Sequence, residues 1–490
     1  MTVRAVSGIA TYCFTECTSL PHSGDITFPN GAAAEAAGYS ACIKCRPRLC
    51  GEAFIVGDAP PSVLTALTLI KEGFLHSQSE EMLAIRVGSS RAHLRRLMLQ
   101  HLGASPTRIA RYRQTHFARQ LITETSLDTQ TVARAAGLTG RQQLDRLAFK
   151  TWGHPICDLK PNRESRSSNA SIKLLLKYVR PYSFNQLLKH LRSRVTPGIE
   201  EVTDSGSYRR VVSHEGNARI IEVSDAHDEQ HLAVQVHSIS YDNLIDDMER
   251  LRTLLAIDED PTPTVMHLLN DHLVGASVAQ HPWLRVPRCW DPFETSVRII
   301  IGQQISVAAA TTITGRIAHT LGEQLSVSGT LDRVFPPAAT LAEANLKGLG
   351  LTDKRATTLQ HFATAVANGS LDLRLTGAIE EVVSRWCALP GIGPWTAHMA
   401  AMRVLQHNDA MPSSDLGIRR NASRLVGNSI SSKELDNRSL SWRPFRSWAV
   451  QHLWEQQKPL PLSGTQVAAI CSITAVATGQ QVTKKTTCNH

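Results

Sequence analysis

The sequence lacks any apolar run of the ~18 to 20 residues that a membrane-crossing helix needs, which excludes a helical integral-membrane protein and any membrane partner of that kind. It also lacks a secretory leader, because Arg4 opens onto a mixed stretch containing Glu16 rather than an apolar one. The cytoplasm is the expected compartment. Cysteine is neither scarce nor dense: ten occur in 490 residues, ordinary usage for an intracellular chain rather than a disulfide framework. Six of them, Cys50, Cys157, Cys289, Cys387, Cys471 and Cys488, have no ligand-like spacing. Acidic residues are missing altogether from Arg86 to Arg119, a stretch that holds eight arginines. The chain carries a formal charge of +9 and a pI near 9.1, a balance that attracts polyanions and points to nucleic acid, with a merely solvated basic face as the plainer alternative.

What is present begins with the other four cysteines. Cys13-x3-Cys17 and Cys42-x2-Cys45 are two close pairs, 24 residues apart, a spacing that suits four thiolates on one tetrahedral Zn²⁺. At 490 residues with 42% hydrophobic content, three or four domains are expected. Residues 1–50 hold the cysteine pairs, and Pro60-Pro61 marks a boundary. Residues 60–160 read as short helices in two helix-turn-helix copies. Ser79 to Val87, a Gly88-Ser-Ser90 turn and Arg91 to Leu99 form the first, with Arg91, Arg95 and Arg96 on the exposed face of its second helix; Thr129 to Ala136, a Gly137-Leu-Thr-Gly140 turn and Arg141 to Lys150 form the second. Residues 161–171 are polar and read as a linker. Residues 172–285 form an α+β module with strands near Val211-Val212, Ile220-Ile221 and Leu232 to His237. Residues 286–455 turn helical from about Trp290, and 456–490 have no helical period and read as a mostly disordered tail.

One stretch carries chemistry. The amphipathic segment through Trp386 ends at Leu389, and Pro390-Gly391-Ile-Gly393-Pro394 makes a tight turn before a second helix begins at Trp395. Such a helix-hairpin-helix lets backbone N–H groups grip a DNA phosphate without reading sequence, a structural Gly-Pro turn being the alternative. Asp415 follows 24 residues after Gly391, in Met411-Pro-Ser-Ser-Asp415-Leu-Gly417. A carboxylate there either caps the next helix or stabilises a cation.

Leu389-Pro-Gly-Ile-Gly-Pro-Trp395-Thr-Ala with Asp-Leu-Gly at this distance resembles the helix-hairpin-helix glycosylase superfamily, in particular the AlkA-type 3-methyladenine DNA glycosylases. Arg298-Ile-Ile-Ile-Gly302-Gln303-Gln304-Ile-Ser306 matches that family's other hallmark. The resemblance implies that Asp415 is catalytic, that Leu389, Gly391, Gly393, Gln303 and Gln304 face DNA, and that Trp395, Met399 and Trp454 line the base pocket. Tryptophans as core aromatics are the alternative. Met399 stands where such a pocket can have a tyrosine, and Gln304 where it can have a leucine wedge. Trp395 occupies the position of the Schiff-base lysine of strand-cutting members, so a monofunctional enzyme leaving an abasic site is expected, with no cofactor for the glycosylase step.

Gly8 to Pro47 resembles the Ada-type methyl-phosphotriester domain. This implies zinc held by Cys13, Cys17, Cys42 and Cys45, with Cys13 as a methyl acceptor activated as a zinc thiolate; zinc without methyl transfer is the other reading. Glu16, in Cys13-Phe-Thr-Glu-Cys17, puts a negative charge near a site meant to approach phosphate. No Pro-Cys-His-Arg motif occurs, so a separate alkylguanine methyltransferase domain is not expected. The paired helix-turn-helix segment resembles an AraC-type DNA-binding domain, and residues 172–285 the α+β (TBP-like) N-terminal domain of AlkA-type enzymes. The expected fold is therefore multidomain: a small zinc domain, an all-α double helix-turn-helix domain, an α+β domain and an all-α helix-hairpin-helix glycosylase domain. The expected function is a fused alkylation-response protein. Double-stranded DNA is its partner, at damaged sites and at promoters, with RNA polymerase a further one if the chain activates transcription. A regulator with inactive repair modules, and a repair enzyme whose helix-turn-helix only adds nonspecific affinity, are the rivals.

Overall fold

The computed structural model describes residues 3–6, 11–14, 17, 25–42, 59–153, 155–159, 171–214, 216–226, 230–326 and 329–455. Cys45, Glu16, nearly all of the 161–171 linker and the 456–490 tail lie outside the described residues.

The front unit is a four-stranded sheet of β1 (Val3–Val6), β2 (Thr11–Phe14), β3 (Asp25–Phe28) and β4 (Ser40–Ala41) in the order β3-β1-β2-β4. A short helix, Gly31–Ala36, crosses it, its first turn capped by the Asn30 side chain, which accepts from Ala33 N at 2.9 Å. Both helix-turn-helix copies form where their turn residues demand. Glu80–Arg86 and Arg91–Leu102 are capped by Ser79 and Ser90, Thr129–Ala135 is capped by Asp128, and Arg141–Trp152 completes the second copy. Gly88 (φ +66°) and Gly137 (φ +71°) supply the left-handed turns. A 19-residue helix, Pro106–Glu124, links the copies, with its proline in the first turn.

The α+β unit is an antiparallel sheet of β5 (Ser171–Lys177), β6 (Glu200–Val202), β7 (Tyr208–His214), β8 (Asn217–Asp225) and β9 (His231–Ser238), ordered β5-β9-β8-β7-β6. Sequence reading finds the last three and misses β5 and β6. After β9, helices begin earlier than Trp290, at Leu244–Leu254, Thr262–Leu268 and Gly275–Gln280. In the first of these Leu244, Ile245, Met248 and Leu251 are buried at helical spacing, so the period was present and unread. The bundle that follows includes Pro292–Ile301, Val307–Leu321, Asp353–Ala367, Ile379–Cys387, Pro394–Arg403, Leu416–Val426 and Arg446–Glu455. Among the described residues no helix is long and apolar enough to cross a membrane.

Packing crosses these units. One core joins the front sheet (Val3, Ala5, Tyr12) to the first helix-turn-helix (Leu94, Met98, Leu102), a second joins the other copy (Leu144, Leu147) to the five-stranded sheet, and a third fills the helical bundle. Ion pairs join the two halves of the chain: Arg86 to Asp372 at 2.7 Å, Arg113 to Glu249 at 3.3 Å, and Arg374 to Glu72.

Candidate active site

In the helix Ile379–Cys387 the residues Ile379, Val382 and Trp386 are buried while Glu380 and Glu381 stand in its first turn. The chain then folds back as Ile392 N donates to Leu389 O at 3.2 Å, with Leu389 half-buried against the bundle core. The two hairpin glycines differ. Gly391 has φ +81°, and a Cβ there would stand 2.0 Å from Thr358 Oγ1, so packing demands glycine. Gly393 has φ −104° and nothing within 4 Å of a Cβ, so its outer face is open. The helix Pro394–Arg403 starts here with no side-chain cap on its first amides.

Gln303 braces this turn, its Nε2 donating to Gly391 O at 3.1 Å and Thr396 Oγ1 at 2.9 Å. Arg355 in turn holds the Gln303 carbonyl. Gln304 is exposed at the loop tip with φ +58°, a strained value for a residue with a Cβ.

Asp415 is both a cap and more than a cap. Its Oδ1 accepts from Gly417 N at 2.9 Å and Ile418 N at 3.0 Å, closing the first turn of Leu416–Val426. The same oxygen accepts Trp454 Nε1 at 3.1 Å, while Oδ2 accepts Trp395 Nε1 at 3.0 Å. Gly417 makes room, since a Cβ would lie 3.0 Å from Asp415 Oδ1 and 3.3 Å from Trp454 Nε1. Leu416, next to the carboxylate, is 71% exposed.

Trp395, Met399 and Arg403 recur every four residues and so line one face of the hairpin helix. The Arg403 guanidinium sits 5.4 Å from the centre of the Trp454 ring and donates to Pro287 O at 2.8 Å and Gln451 Oε1 at 3.2 Å. One face of Trp454 is thus already in cation–π contact. Glu455, the next residue, accepts from Gln186 Nε2 at 2.7 Å and pairs with Lys189 Nζ at 3.3 Å, which ties the helix Phe184–Arg192 to this wall. His190 lies one turn on from Gln186. Burial first, then the charges of Arg194, Arg403 and Arg298, hold its pKa well below the ordinary imidazole value. Sequence reasoning missed Arg403 and His190; the four-residue recurrence from Trp395 marked the first, and nothing local marked the second.

The other sequence-derived residues lie elsewhere. Arg91, Arg95 and Arg96 are exposed on Arg91–Leu102, with Arg96 Nη2 bonded to His93 Nδ1 at 2.9 Å. Cys13 on β2 lies next to Cys42, because β2 runs parallel to β4 and Cys42 N donates to Tyr12 O at 2.8 Å. Burial pushes the Cys13 thiol up to about 11, Arg4 opposes this, and the neighbouring Cys17 and Cys42 add to it. Neighbouring thiolates repel one another and a cation offsets that repulsion, which fits the Zn²⁺ donor set. Among the described residues no group of three His, Cys, Asp or Glu closes as a metal site, and Cys45 lies outside them. A cleft of about 820 Å³ is a seam lined by Leu64, Glu72, Arg250, Arg288 and Arg374 and contains neither Asp415 nor either tryptophan that holds it.

A helix-hairpin-helix followed by a carboxylate held by two indoles defines the class: residues 297–445 match the HhH-GPD superfamily of base excision DNA repair proteins. Residues 173–291 match the AlkA N-terminal domain, and 2–48 the metal-binding domain of Ada. The chain is 33% identical over 471 residues, 92% of each chain, to a "probable bifunctional transcriptional activator/DNA repair enzyme AlkA" of Mycobacterium tuberculosis. It is 31% identical over 280 residues, 56% of this chain and 94% of the other, to DNA-3-methyladenine glycosylase 2 of Escherichia coli. Among solved structures it shares its fold with a 3-methyladenine DNA-glycosylase from Archaeoglobus fulgidus, with a TM-score of 0.50 and 21% identity over 57% of this chain and 96% of that one. The chain belongs to the family of bifunctional AlkA transcriptional activator/DNA repair enzymes.

Proposed function

We propose that this chain is an alkylation-damage response protein in which Asp415 drives excision of alkylated bases from DNA by a 3-methyladenine-type glycosylase, fused to a zinc sensor and a transcription-activating DNA-binding module. The observation that carries the reading is the Asp415 carboxylate, bonded on both oxygens by Trp395 and Trp454 directly behind the hairpin. Breaking the bond between C1′ and the base nitrogen sends the electron pair out with the base and leaves positive charge on the deoxyribose. A fixed carboxylate stabilises that cation. Water then adds at C1′ and gives up a proton, leaving an abasic site and a free base. Oδ1 already accepts three donors and Oδ2 one, so Oδ2 is the oxygen with lone-pair capacity left for the cation or the water.

The uncapped amides at the start of Pro394–Arg403 and the open face of Gly393 suit a DNA phosphate. Gln303 acts by bracing that turn, and Gln304 and Leu416 are the exposed groups available to the gap left by a flipped base. Carboxylate and water suffice for this hydrolysis, and Trp395 offers no amine for a Schiff base.

In the front half, Cys13, Cys17, Cys42 and Cys45 would hold Zn²⁺, which would supply a stabilised thiolate at Cys13 able to accept a methyl group. The AraC-like pair presents Arg91, Arg95 and Arg96 to duplex DNA at promoters, with RNA polymerase as the partner of activation.

The test is release of 3-methyladenine from methylated duplex by the full chain and by Asp415→Asn. Asparagine keeps the helix cap but not the charge. At ~4 Å and an effective dielectric near 20 the charge contributes about 4 kcal/mol, so release should fall on the order of 10³-fold with DNA binding kept. No release by the wild-type chain, or an enzyme–DNA adduct trapped by borohydride, would sink the reading.

A further inference from the structure

The cationic cluster beside Trp454 has no role in the chemistry at Asp415, and among the described residues no carboxylate is bonded to His190. We infer that His190 is a specificity-determining wall of the base pocket, where its imidazole favours purines with a carbonyl at the six position over those with an amino group there. The inference rests on the glycosylase reading above and deepens it.

The placement follows from two contacts and one helical spacing. Arg403 continues the Trp395–Met399 face of the hairpin helix and stacks on Trp454. Gln186 and Lys189 bind Glu455, one residue beyond Trp454. His190 lies four residues after Gln186 and so on the same face of that helix, where burial and then the charges of Arg194, Arg403 and Arg298 lower its pKa. The His190 turn therefore stands beside the Arg403–Trp454 wall that bounds the base pocket.

The chemistry follows from what His190 lacks. Its carbonyl oxygen is used by Ser193 and Arg194, but among the described residues its ring nitrogens have no hydrogen-bond partner. Arg298 Nη2 donates to Thr311 Oγ1 at 2.5 Å, while its buried Nη1 also has no partner. A neutral imidazole N–H and a spare guanidinium N–H, in a region of positive potential, are donors awaiting an acceptor. A six-position carbonyl, as in 7-methylguanine or hypoxanthine, supplies one; the amino group of 3-methyladenine supplies a donor instead and leaves both unmet. Glu200 and Glu294 are the carboxylates whose charge reaches Arg298.

The experiment measures kcat/KM for release of 7-methylguanine and of 3-methyladenine from the same methylated duplex, for the full wild-type chain, His190→Phe and His190→Gln. Losing one hydrogen bond should lower the 7-methylguanine to 3-methyladenine ratio on the order of tenfold in His190→Phe. His190→Gln keeps a donor and should restore most of the ratio, which a merely structural role for the ring would not do. An unchanged ratio in His190→Phe overturns this inference alone. Absence of release of either base by the wild-type chain overturns the glycosylase reading and this inference with it.

Discussion

Replacing each hairpin glycine by alanine should separate a glycine needed for folding from one needed for DNA. At Gly391 the left-handed φ of +81° costs an L residue about 1–2 kcal/mol. The new methyl would also lie 2.0 Å from Thr358 Oγ1 and 2.9 Å from its Cγ2. Thr358 is 5% exposed and its hydroxyl donates to Lys354 O at 3.0 Å, so it has little freedom to move and overpacking adds about 1–3 kcal/mol. Gly391→Ala should therefore destabilise the bundle by about 2–5 kcal/mol. Thr358→Ala removes the two nearest atoms and leaves its Cβ at 3.0 Å, so in a double-mutant cycle it should recover most of the overpacking share while the backbone share remains. At Gly393 the backbone is extended and the space is open, so alanine there should leave stability unchanged or raise it by a few tenths of a kcal/mol. It would, however, push a methyl toward any phosphate held by the adjacent amides, and affinity for abasic-site duplex should fall on the order of tenfold. Denaturant unfolding followed by tryptophan fluorescence reads the first effect, because Trp386, Trp395, Trp442, Trp448 and Trp454 all belong to that core; a salt-controlled binding titration reads the second. Equal stability losses for the two alanines, or no coupling between Gly391→Ala and Thr358→Ala, would refute the argument.

The carboxylate geometry predicts an asymmetry between the two tryptophans. Trp395→Phe strips Oδ2 of the one donor it has among the described residues and should lower kcat about 10- to 100-fold, the range for a hydrogen bond to a charged group, whereas Trp454→Phe leaves two backbone amides on Oδ1 and should lower it severalfold less; a reversed order in single-turnover assays would count against it. Acid should unfold the bundle early. Burial holds His452 at about 3 and His398 at about 4, both below the ordinary 6.5, so each is neutral in the native state and gains its proton only on unfolding. Stability is then full above about pH 6.5 and falls by about 1.4 kcal/mol per unit for each histidine as pH drops toward 4, and His452→Gln should remove one such share, about 1.4 kcal/mol per pH unit, from the slope of stability against pH. Zinc removal with a strong chelator should weaken promoter-type binding before it affects base release, because the front sheet shares a core with the first helix-turn-helix and not with the bundle; one zinc per chain by atomic absorption is the accompanying expectation.

The parts legible in the sequence were those whose physics is local. Gly88 and Gly137 sit at left-handed turns between helices that begin on Ser90 and Gly140, so both helix-turn-helix copies could be read from spacing alone. The hairpin and Asp415 were legible for the same reason, being one turn and one cap in a contiguous stretch. Strands β5 and β6 were not, because in Ser171–Lys177 the outward Leu175 blurs the alternation of Ile172, Leu174 and Leu176 and the partner strand lies 66 residues on (Ser171 with His237), and a three-residue strand such as Glu200–Val202 shows no period at all. Likewise, that Gly391 and Gly393 do different work depends on Thr358, a residue from another helix. Gln303, whose motif suggested DNA contact, spends its amide on the hairpin; a glutamine's partner cannot be read from its neighbours in sequence.

The least legible feature is how the front unit and the repair half are joined, and it rests on one helix. In Pro106–Glu124, Ile109, Ala110 and Tyr112 pack into the core of the front sheet, while Phe117, Ala118, Leu121 and Ile122 pack into the core of the five-stranded sheet. At its first end the fit is close: a Cβ on Gly31 would lie 2.2 Å from Tyr112 Oη, and Glu35 accepts from Tyr12 Oη at 3.0 Å and contacts His116 Nε2 at 2.5 Å. At its far end Gln120 Nε2 donates to Leu175 O at 2.8 Å, and Glu124 accepts from Leu175 N at 3.0 Å, so the helix covers the free edge of β5. A helix with all its backbone bonds made does not stretch, and a core at each end leaves it no freedom to rotate. A change at Cys13, beside Tyr12 on β2, therefore acts on an element that is continuous with the sheet next to the glycosylase bundle. Separating the halves would expose Phe117 and Leu121 on one side and the β5 edge on the other, which is why the helix-turn-helix pair belongs energetically to both.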